Sequence, residues 1–278
     1  MILEAKLLLG ILCTIAALFL LSQADRYTIL SNSTFDKVAF SAFFVIRVGL
    51  YVAIFHFLGF VPRSDVVIYY DEARQVLAGK LPLVEIQTAY GPLFDWICAS
   101  IIAVWNSAKA LVLFSTIVEL LTFPIWLRVG RAAFDEVTVR RAAVLYIFNP
   151  VVIGSVVIDG QNQIWLSLLL ALSLLAIISQ RRVLSGIYLG LSVVAVKFLA
   201  LLFAPILFLS ARKRTNWLLS FLIIPIIAYG VVLLLGGHPL DSAQVQVTDH
   251  SSGNLPYLLT VTGINVTNAN QSLIPNLV

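Results

Sequence analysis

Residues 183–209 read VLSGIYLGLSVVAVKFLALLFAPILFL, an apolar run of 27 residues interrupted by one charged side chain, Lys197. Arg181 and Arg182 precede this run, and the basic triplet 212–214 follows it. Because a bilayer core of about 30 Å is crossed by roughly 20 helical residues, the run is too long for one ordinary span. If both basic flanks are cytoplasmic, the segment crosses outward and returns, which predicts two short helices that turn near Lys197. The alternative is one long tilted helix with a snorkelling lysine.

The rest of the chain has the same apolar character. Of its 278 residues, 60% are hydrophobic and 12% are charged, whereas soluble domains are about 25% charged. Continuous rather than alternating apolar stretches indicate helices, because lipid offers no partner to unpaired backbone groups. We predict an all-α, polytopic membrane protein, a single membrane domain over 1–278 with about seven to nine spanning or partly spanning helices. The predicted spans are 2–21, 38–60, 110–127, 142–158, 163–179 and 217–235, and 93–105 is too short to cross alone.

Basic residues between the apolar segments predict the orientation of the chain. Half of the 18 lysines and arginines lie in three short connections, namely 128–141, 181–182 and 212–214, which we expect to be cytoplasmic. The net charge of +4 is therefore interpreted as a topology signal and not as nucleic-acid binding. Three external segments follow, namely the loop 61–92, the turn 159–162 and the C-terminal 236–278. The last ends without a further span, which leaves open that the chain is a truncated fragment. The N-terminal topology also stays open, because 2–21 could be a signal-like or interfacial segment.

The first external loop carries most of the polar chemistry. Residues 63–96 read RSDVVIYYDEARQVLAGKLPLVEIQTAYGPLFDW. The loop opens with Asp65 directly after a span, continues as an amphipathic helix, breaks at Gly79 and re-enters at 90–92. A carboxylate held where a helix leaves the membrane is well placed to meet a polar substrate at the lipid surface. The alternative is a solvated juxtamembrane loop.

Several motifs occur in a fixed order along the chain. They are Asp65, Tyr69, Tyr70, Gly79-Lys80-Leu81-Pro82, Tyr90-Gly91-Pro92-Leu93, Asn149-Pro150, Asp159-Gly160-Gln161-Asn162, and Gly186 through Lys197 to Pro205. This order resembles the GT-C-type glycosyltransferases, in particular the mannosyltransferases that use polyprenyl-phosphate mannose, such as GPI mannosyltransferase I and its bacterial relatives. The resemblance covers about residues 60–215.

The resemblance implies a GT-C-like fold and a function. The expected reaction moves a sugar, most plausibly mannose, from a polyprenyl-phosphate donor to a lipid-linked or cell-envelope acceptor on the non-cytoplasmic face. The implied catalytic carboxylate is Asp65, and the implied donor-phosphate contacts are Lys197 and Arg47, although Arg47 could instead pair or snorkel inside its span. The candidate substrate contacts are Tyr69, Glu72, Tyr90, Asp159, Gln161 and Asn162. For these residues, solvated loop positions and interface aromatics are the alternatives.

The expected partners are the lipid donor, the acceptor and membrane lipids, without nucleic acid. The expected membrane is the plasma membrane in a prokaryote or the endoplasmic reticulum in a eukaryote. No cofactor is expected, because Asp65-Val66-Val67 is not an Asp-x-Asp pair, although a divalent metal stays open. The sequence also departs from the family at Asp159, where relatives often carry Arg. A transporter or flippase of lipid-linked or polar solutes is the alternative function, although paired broken-helix halves are not evident. A catalytically silent membrane scaffold is a third.

Overall fold

The computed structural model describes residues 2–22 and 29–240. Every regular element in these ranges is helical, and the β pairing there is limited to an isolated bridge between Pro82 and Ile86. The all-helical class predicted from the sequence is therefore confirmed for the described part of the chain. The helices are α1 (Ile2–Ser22), α2 (Asn32–Val52, continued by a π-helical turn Ala53–Phe57), α3 (Asp65–Leu77), α4 (Phe94–Val104), α5 (Ala108–Ala133), α6 (Glu136–Ile147), α7 (Pro150–Val152, continued by a π-helical Ile153–Ile158), α8 (Gln163–Ile178), α9 (Arg182–Ala195), a 3-10 segment (Phe198–Phe203), α10 (Ala204–Ser210) and α11 (Arg214–Leu234).

Within the described residues, three helices are long and apolar enough to cross a bilayer, namely Asn32–Phe57, Ala108–Ala133 and Arg214–Leu234. A fourth span exists if α6 and Pro150–Ile158, which are bent by 43°, are counted as one. The other apolar helices are shorter. The longest of them, Gln163–Ile178, has 16 residues and extends about 24 Å, which is less than a bilayer core of about 30 Å. The predicted seven to nine helices are therefore not confirmed as spans. The shorter helices are Gly10–Ser22, Phe94–Val104, Gln163–Ile178, Arg182–Ala195 and Phe198–Ser210.

Charged side chains tie three helix ends together at one end of the bundle. Arg131, at the end of α5, pairs with Asp36 of α2 at 2.6 Å and with Glu136 of α6 at 2.9 Å. At the other end of α5, the Lys109 ammonium donates to the carbonyl of Phe55, where α2 ends, at 2.8 Å. Helices α2 and α5 are therefore antiparallel. The loop that follows α2 lies at the end opposite the arginines.

The segment 183–209 breaks at the position of its lysine. Helix α9 ends at Ala195, and Lys197 has an extended backbone (φ −151°, ψ 153°) before the chain becomes helical again. The Trp217 indole donates to Ser185 Oγ near the start of α9 at 3.1 Å. The same indole ring lies 6.0 Å from the ring of Phe208 near the end of α10. The start of α9 and the end of α10 are thus at one level, so the chain reverses direction around Lys197.

Candidate functional site

The first site element is the start of α3, which presents Asp65. Its neighbour Ser64 has φ 104° and ψ −168°, a conformation that costs a non-glycine residue roughly 1–3 kcal/mol and persists where other contacts impose it. The Ser64 hydroxyl accepts a hydrogen bond from Gln161 Nε2 at 3.1 Å. Asp65 lies in the first turn of the helix and is half-buried. The structure therefore brings the predicted carboxylate against the predicted outer turn 159–162.

That turn is held between α3 and α5. Gly160 has φ 64°, and a side chain there would collide with Val66 and Val112, so glycine meets both demands. Asn162 is fully buried. Within the described residues, neither its Oδ1 nor its Nδ2 has a hydrogen-bond partner. Because a buried polar group without a partner costs about 1–3 kcal/mol, Asn162 is a strong candidate for contact with a bound polar molecule. The third predicted member of the turn, Asp159, is half-buried.

Two buried tyrosines form the wall beside Asp65. The rings of Tyr69 and Tyr90 are 5.0 Å apart at 87°, and Phe94 stacks 4.3 Å from Tyr90. The Tyr69 hydroxyl is buried without a hydrogen-bond partner among the described residues. Burial, first of all, raises the pKa of both tyrosines above its ordinary range. Both hydroxyls therefore stay protonated and can donate hydrogen bonds to a ligand.

The re-entry motif joins this wall to the break in 183–209. The Gly91 N–H donates to the Val196 carbonyl at 3.0 Å, and the Leu93 N–H donates to the Val194 carbonyl at 2.9 Å. A side chain on Gly91 would collide with the Val194 backbone. The Lys197 ammonium lies 4.8 Å from the centroid of the Tyr90 ring, a cation–π distance. The end of the loop 61–92 and the segment that carries Lys197 are therefore packed directly against each other.

The charge of the Asp65 carboxylate acts on the Lys197 ammonium. Burial lowers the pKa of the Lys197 ammonium, and the Asp65 carboxylate offsets part of that effect. The Asp65 charge also raises the pKa of the neighbouring Tyr69 and Tyr90 hydroxyls. Yet the two charges do not form a direct ion pair within the described part of the chain. A carboxylate and an ammonium are thus held near one another without a direct ion pair between them.

Glu72 lies behind the tyrosine wall and not in solvent. Its side chain is 8% exposed, and its Oε2 accepts a hydrogen bond from Thr88 Oγ1 at 3.3 Å. Asp95 of α4 is fully buried beside it. The solvated-loop alternative for Glu72 is therefore wrong. Sequence reasoning missed Asp95, although a carboxylate inside the short apolar segment 93–105 is a signal that could have identified it.

Arg47, predicted as a second phosphate contact, lies elsewhere. It is fully buried in α2, and its Nε donates to the equally buried Glu119 of α5 at 2.9 Å. Its remaining nitrogens donate to the carbonyls of Ile147 at 2.9 Å and Tyr146 at 3.3 Å. Ten residues, or roughly 15 Å of helix, separate it from the end of its helical segment at Phe57. The structure therefore corrects this assignment, because each nitrogen of Arg47 already has an acceptor inside the bundle and the side chain is fully buried.

Acidic residues and histidines do not gather into a metal-binding group anywhere in the described ranges. No set of three or more His, Cys, Asp or Glu side chains there is arranged to hold an ion. The groups that the fold brings together around Tyr90 are the Asp65 carboxylate, the Lys197 ammonium and the Tyr69 hydroxyl.

Comparison with known proteins gives one match. The family model for Glycosyltransferase family 87 matches residues 89–275, about two thirds of the 278-residue chain. The match includes Tyr90, the turn 159–162 and Lys197, and it begins after Asp65 and Glu72. No curated protein and no solved structure matches the chain.

Proposed function

Since the chain belongs to glycosyltransferase family 87, we propose that it transfers mannose from a polyprenyl-phosphate donor to a lipid-linked or cell-envelope acceptor. The resemblance to polyprenyl-phosphate-mannose enzymes supports this donor. The observation that carries the proposal is that Asp65 and Lys197, 132 positions apart in the sequence, come close in the fold. The Lys197 ammonium lies 4.8 Å from the centroid of the Tyr90 ring, and the Asp65 charge acts on both Lys197 and Tyr90. This is a pairing of base and cation that glycosyl transfer from a lipid phosphate needs.

Asp65 acts as the general base in this proposal. The acceptor hydroxyl oxygen attacks the anomeric carbon, and the bond between that carbon and the phosphate oxygen breaks. The electron pair of the broken bond leaves on the phosphate, while the hydroxyl proton passes to the Asp65 carboxylate. One carboxylate suffices for a direct, inverting displacement, unlike the two that glycoside hydrolysis uses.

Lys197 stabilises the departing phosphate. Charge grows on the phosphate oxygens as the bond to the sugar breaks, and an ammonium fixed beside them lowers the barrier. The lysine is half-buried at the break between two helices, where its charge is poorly solvated. An anionic phosphate supplies the counter-charge that the described residues do not supply by contact.

The unpartnered polar groups form the sugar-binding part of the site. Among residues 2–22 and 29–240, the Tyr69 hydroxyl and both polar atoms of Asn162 are buried without a hydrogen bond of good geometry, so hydroxyl groups of a sugar would satisfy them. Tyr90 contributes an aromatic face, while Gln161 and Asp159 lie half-buried at the rim. Glu72 supports this wall from behind and does not contact the sugar.

The membrane is part of the proposed mechanism. Three helices long enough to span it, and basic clusters at the end opposite Asp65, support a multi-pass protein whose active site faces the non-cytoplasmic side. That side would be the outer surface of a prokaryotic plasma membrane or the lumen of a eukaryotic endoplasmic reticulum. A lipid-anchored donor enters such a site from the bilayer.

Reconstituted membranes test this function. The full chain is placed in liposomes with polyprenyl-phosphate mannose labelled in the sugar, and a lipid extract supplies the acceptor. We expect labelled mannose in an acceptor lipid or glycan, and none with Asp65→Asn. Label that crosses the bilayer and stays on the donor would overturn the proposal in favour of transport.

A further inference from the structure

The two carboxyl groups of Glu72 and Asp95 come from different helices, α3 and α4, and meet inside the protein. Their side chains are 8% and 0% exposed. Neither makes an ion pair with a lysine, arginine or histidine of the described chain. Both oxygens of Asp95 lack a hydrogen-bond donor of good geometry in the same part of the chain. Two buried carboxylates without a cation cannot both be ionised at modest cost, so the pair holds a proton.

The surroundings of the pair contain acids and hydroxyls. Asp71 and Tyr69 lie on α3, and Cys98 on α4 interacts with both carboxyls. Tyr90 faces the pair from the re-entry motif. Burial, followed by the neighbouring Asp95 charge, raises the pKa of Glu72 to about 9. Burial raises the pKa of Asp95 to about 6, and the nearby Glu72 and Thr88 side chains oppose this increase. The raised pKa values of both carboxyls agree with a pair that keeps one proton at neutral pH.

A short chain of contacts connects the pair to the reaction surface. Thr88 Oγ1 donates to Glu72 Oε2 at 3.3 Å, and the backbone N–H of Tyr90 donates to Thr88 Oγ1 at 3.3 Å. The ring of Tyr90 in turn lies under the Lys197 ammonium at 4.8 Å. Two residues, Thr88 and Tyr90, thus link the buried pair to the proposed phosphate contact.

We propose that Glu72 and Asp95 share one proton and, through Thr88 and Tyr90, position Lys197 for the departing phosphate of the donor. This inference rests on the proposed function for its effect on Lys197, but not for the shared proton. Glu72 and Asp95 are positioning residues, because neither reaches the reacting atoms.

The shared proton has a signature in stability that does not involve activity. A carboxyl whose pKa is raised by folding stays protonated in the folded state while the unfolded state ionises. The wild-type protein therefore loses stability as pH rises from about 4.5 to about 9. Glu72→Gln removes this loss, because the amide resembles the protonated acid and does not titrate. We expect its melting temperature to exceed that of the wild type, with the difference increasing from pH 5 to pH 9. Asp71→Asn, an exposed neighbour on the same helix, serves as the matched control and should follow the wild type.

The positioning role is tested by transfer kinetics on the same proteins. Thr88→Val keeps the shape of the side chain but removes the link between Glu72 and Tyr90. We expect about a tenfold higher KM for polyprenyl-phosphate mannose with little change in kcat, whereas Asp71→Asn, at an exposed position on the same helix, retains the wild-type KM.

Equal pH dependence of melting in Glu72→Gln and wild type would overturn the shared proton. An unchanged donor KM in Thr88→Val would overturn the positioning role. Failure of the proposed function is distinguishable, because it would show as the absence of transfer in the wild-type protein while the melting difference persists.

Discussion

Two regions of the molecule hold a basic side chain inside an apolar segment, Arg47 in Asn32–Phe57 and Lys197 in 183–209. They differ in how many hydrogen-bonding and charged partners the side chain has. Arg47 is closed in by Glu119 and two backbone carbonyls, so every part of its guanidinium has a partner. Lys197 lies over an aromatic ring within the field of Asp65, without a direct ion pair in the described ranges. A buried charge whose hydrogen-bonding groups all have partners stabilises the packing of helices. A charge without a direct ion pair can instead bind an oppositely charged ligand. The two residues should therefore respond to substitution in opposite ways.

The largest expected effect is on transfer, at the carboxylate that faces Lys197. Asp65→Asn removes the base while keeping size and hydrogen-bonding capacity, and should lower kcat by about 10²- to 10⁴-fold. Its melting temperature should stay near that of the wild type. Labelled-sugar transfer at saturating donor measures this, with Asp71→Asn as the control that retains activity. Near-normal transfer in correctly inserted Asp65→Asn would remove Asp65 from the mechanism.

The closed pair predicts a loss of stability instead. Arg47→Ala leaves the Glu119 charge buried without its partner, which should cost about 3–5 kcal/mol of folding free energy. The matched variant replaces both partners, Arg47→Met with Glu119→Leu, and should recover most of that loss. Thermal unfolding in lipid or detergent measures both. A stable Arg47→Ala protein with a weakened donor affinity would show that Arg47 serves the substrate after all.

Lys197 should affect the donor and not the fold. Lys197→Ala should raise the KM for the polyprenyl-phosphate donor or lower kcat/KM by about tenfold to hundredfold, which corresponds to about 1.4–2.8 kcal/mol. Stability should hold or improve, because a poorly solvated ammonium is removed. Steady-state kinetics with varied donor concentration, alongside thermal unfolding, separates the two results. If Lys197→Ala lowered the melting temperature as well as kcat/KM for the donor, Lys197 would have a structural role like that of Arg47.

The smallest expected effect is a pH dependence of donor binding. Because burial lowers the pKa of Lys197, its ammonium loses a proton at lower pH than a free lysine, and donor KM should rise as pH increases into that alkaline range. Lys197→Arg keeps its charge and should flatten the rise. Measurement of donor KM from pH 7 to pH 10 checks this. A rise that persists in Lys197→Arg but disappears in Glu72→Gln would assign the titration to the buried carboxyl pair.

Much of this architecture is readable from the sequence, because helices in an apolar chain follow from composition. The break at Lys197 was predictable from length and basic flanks, and the order of motifs grouped Asp65 with Lys197. The number of spans was not predictable, since short helices such as Gln163–Ile178 have the hydropathy of a span without its length.

The pairing of buried charges also could not be predicted from the sequence. Arg47 and Lys197 have similar apolar surroundings in sequence, but the partner of Arg47 lies 72 positions away in another helix, and hydropathy does not identify it. The same holds for Asp95, whose contact with Glu72 depends on how α3 and α4 pack. Local pattern thus locates candidate residues, whereas tertiary contacts decide which of them are already satisfied.

The central claim is that Asp65 and Lys197 belong to one site, and cross-linking tests it most directly. Asp65→Cys and Lys197→Cys are combined in the full chain, whose native Cys13 and Cys98 are both buried. The protein is then treated with a bifunctional thiol reagent no longer than a sugar phosphate. We predict a cross-link that polyprenyl-phosphate mannose suppresses, and little cross-link in the control pair of Asp71→Cys with Lys197→Cys. If both introduced cysteines react with a monofunctional reagent and yet no cross-link forms between positions 65 and 197, the claim that these two residues belong to one site is contradicted.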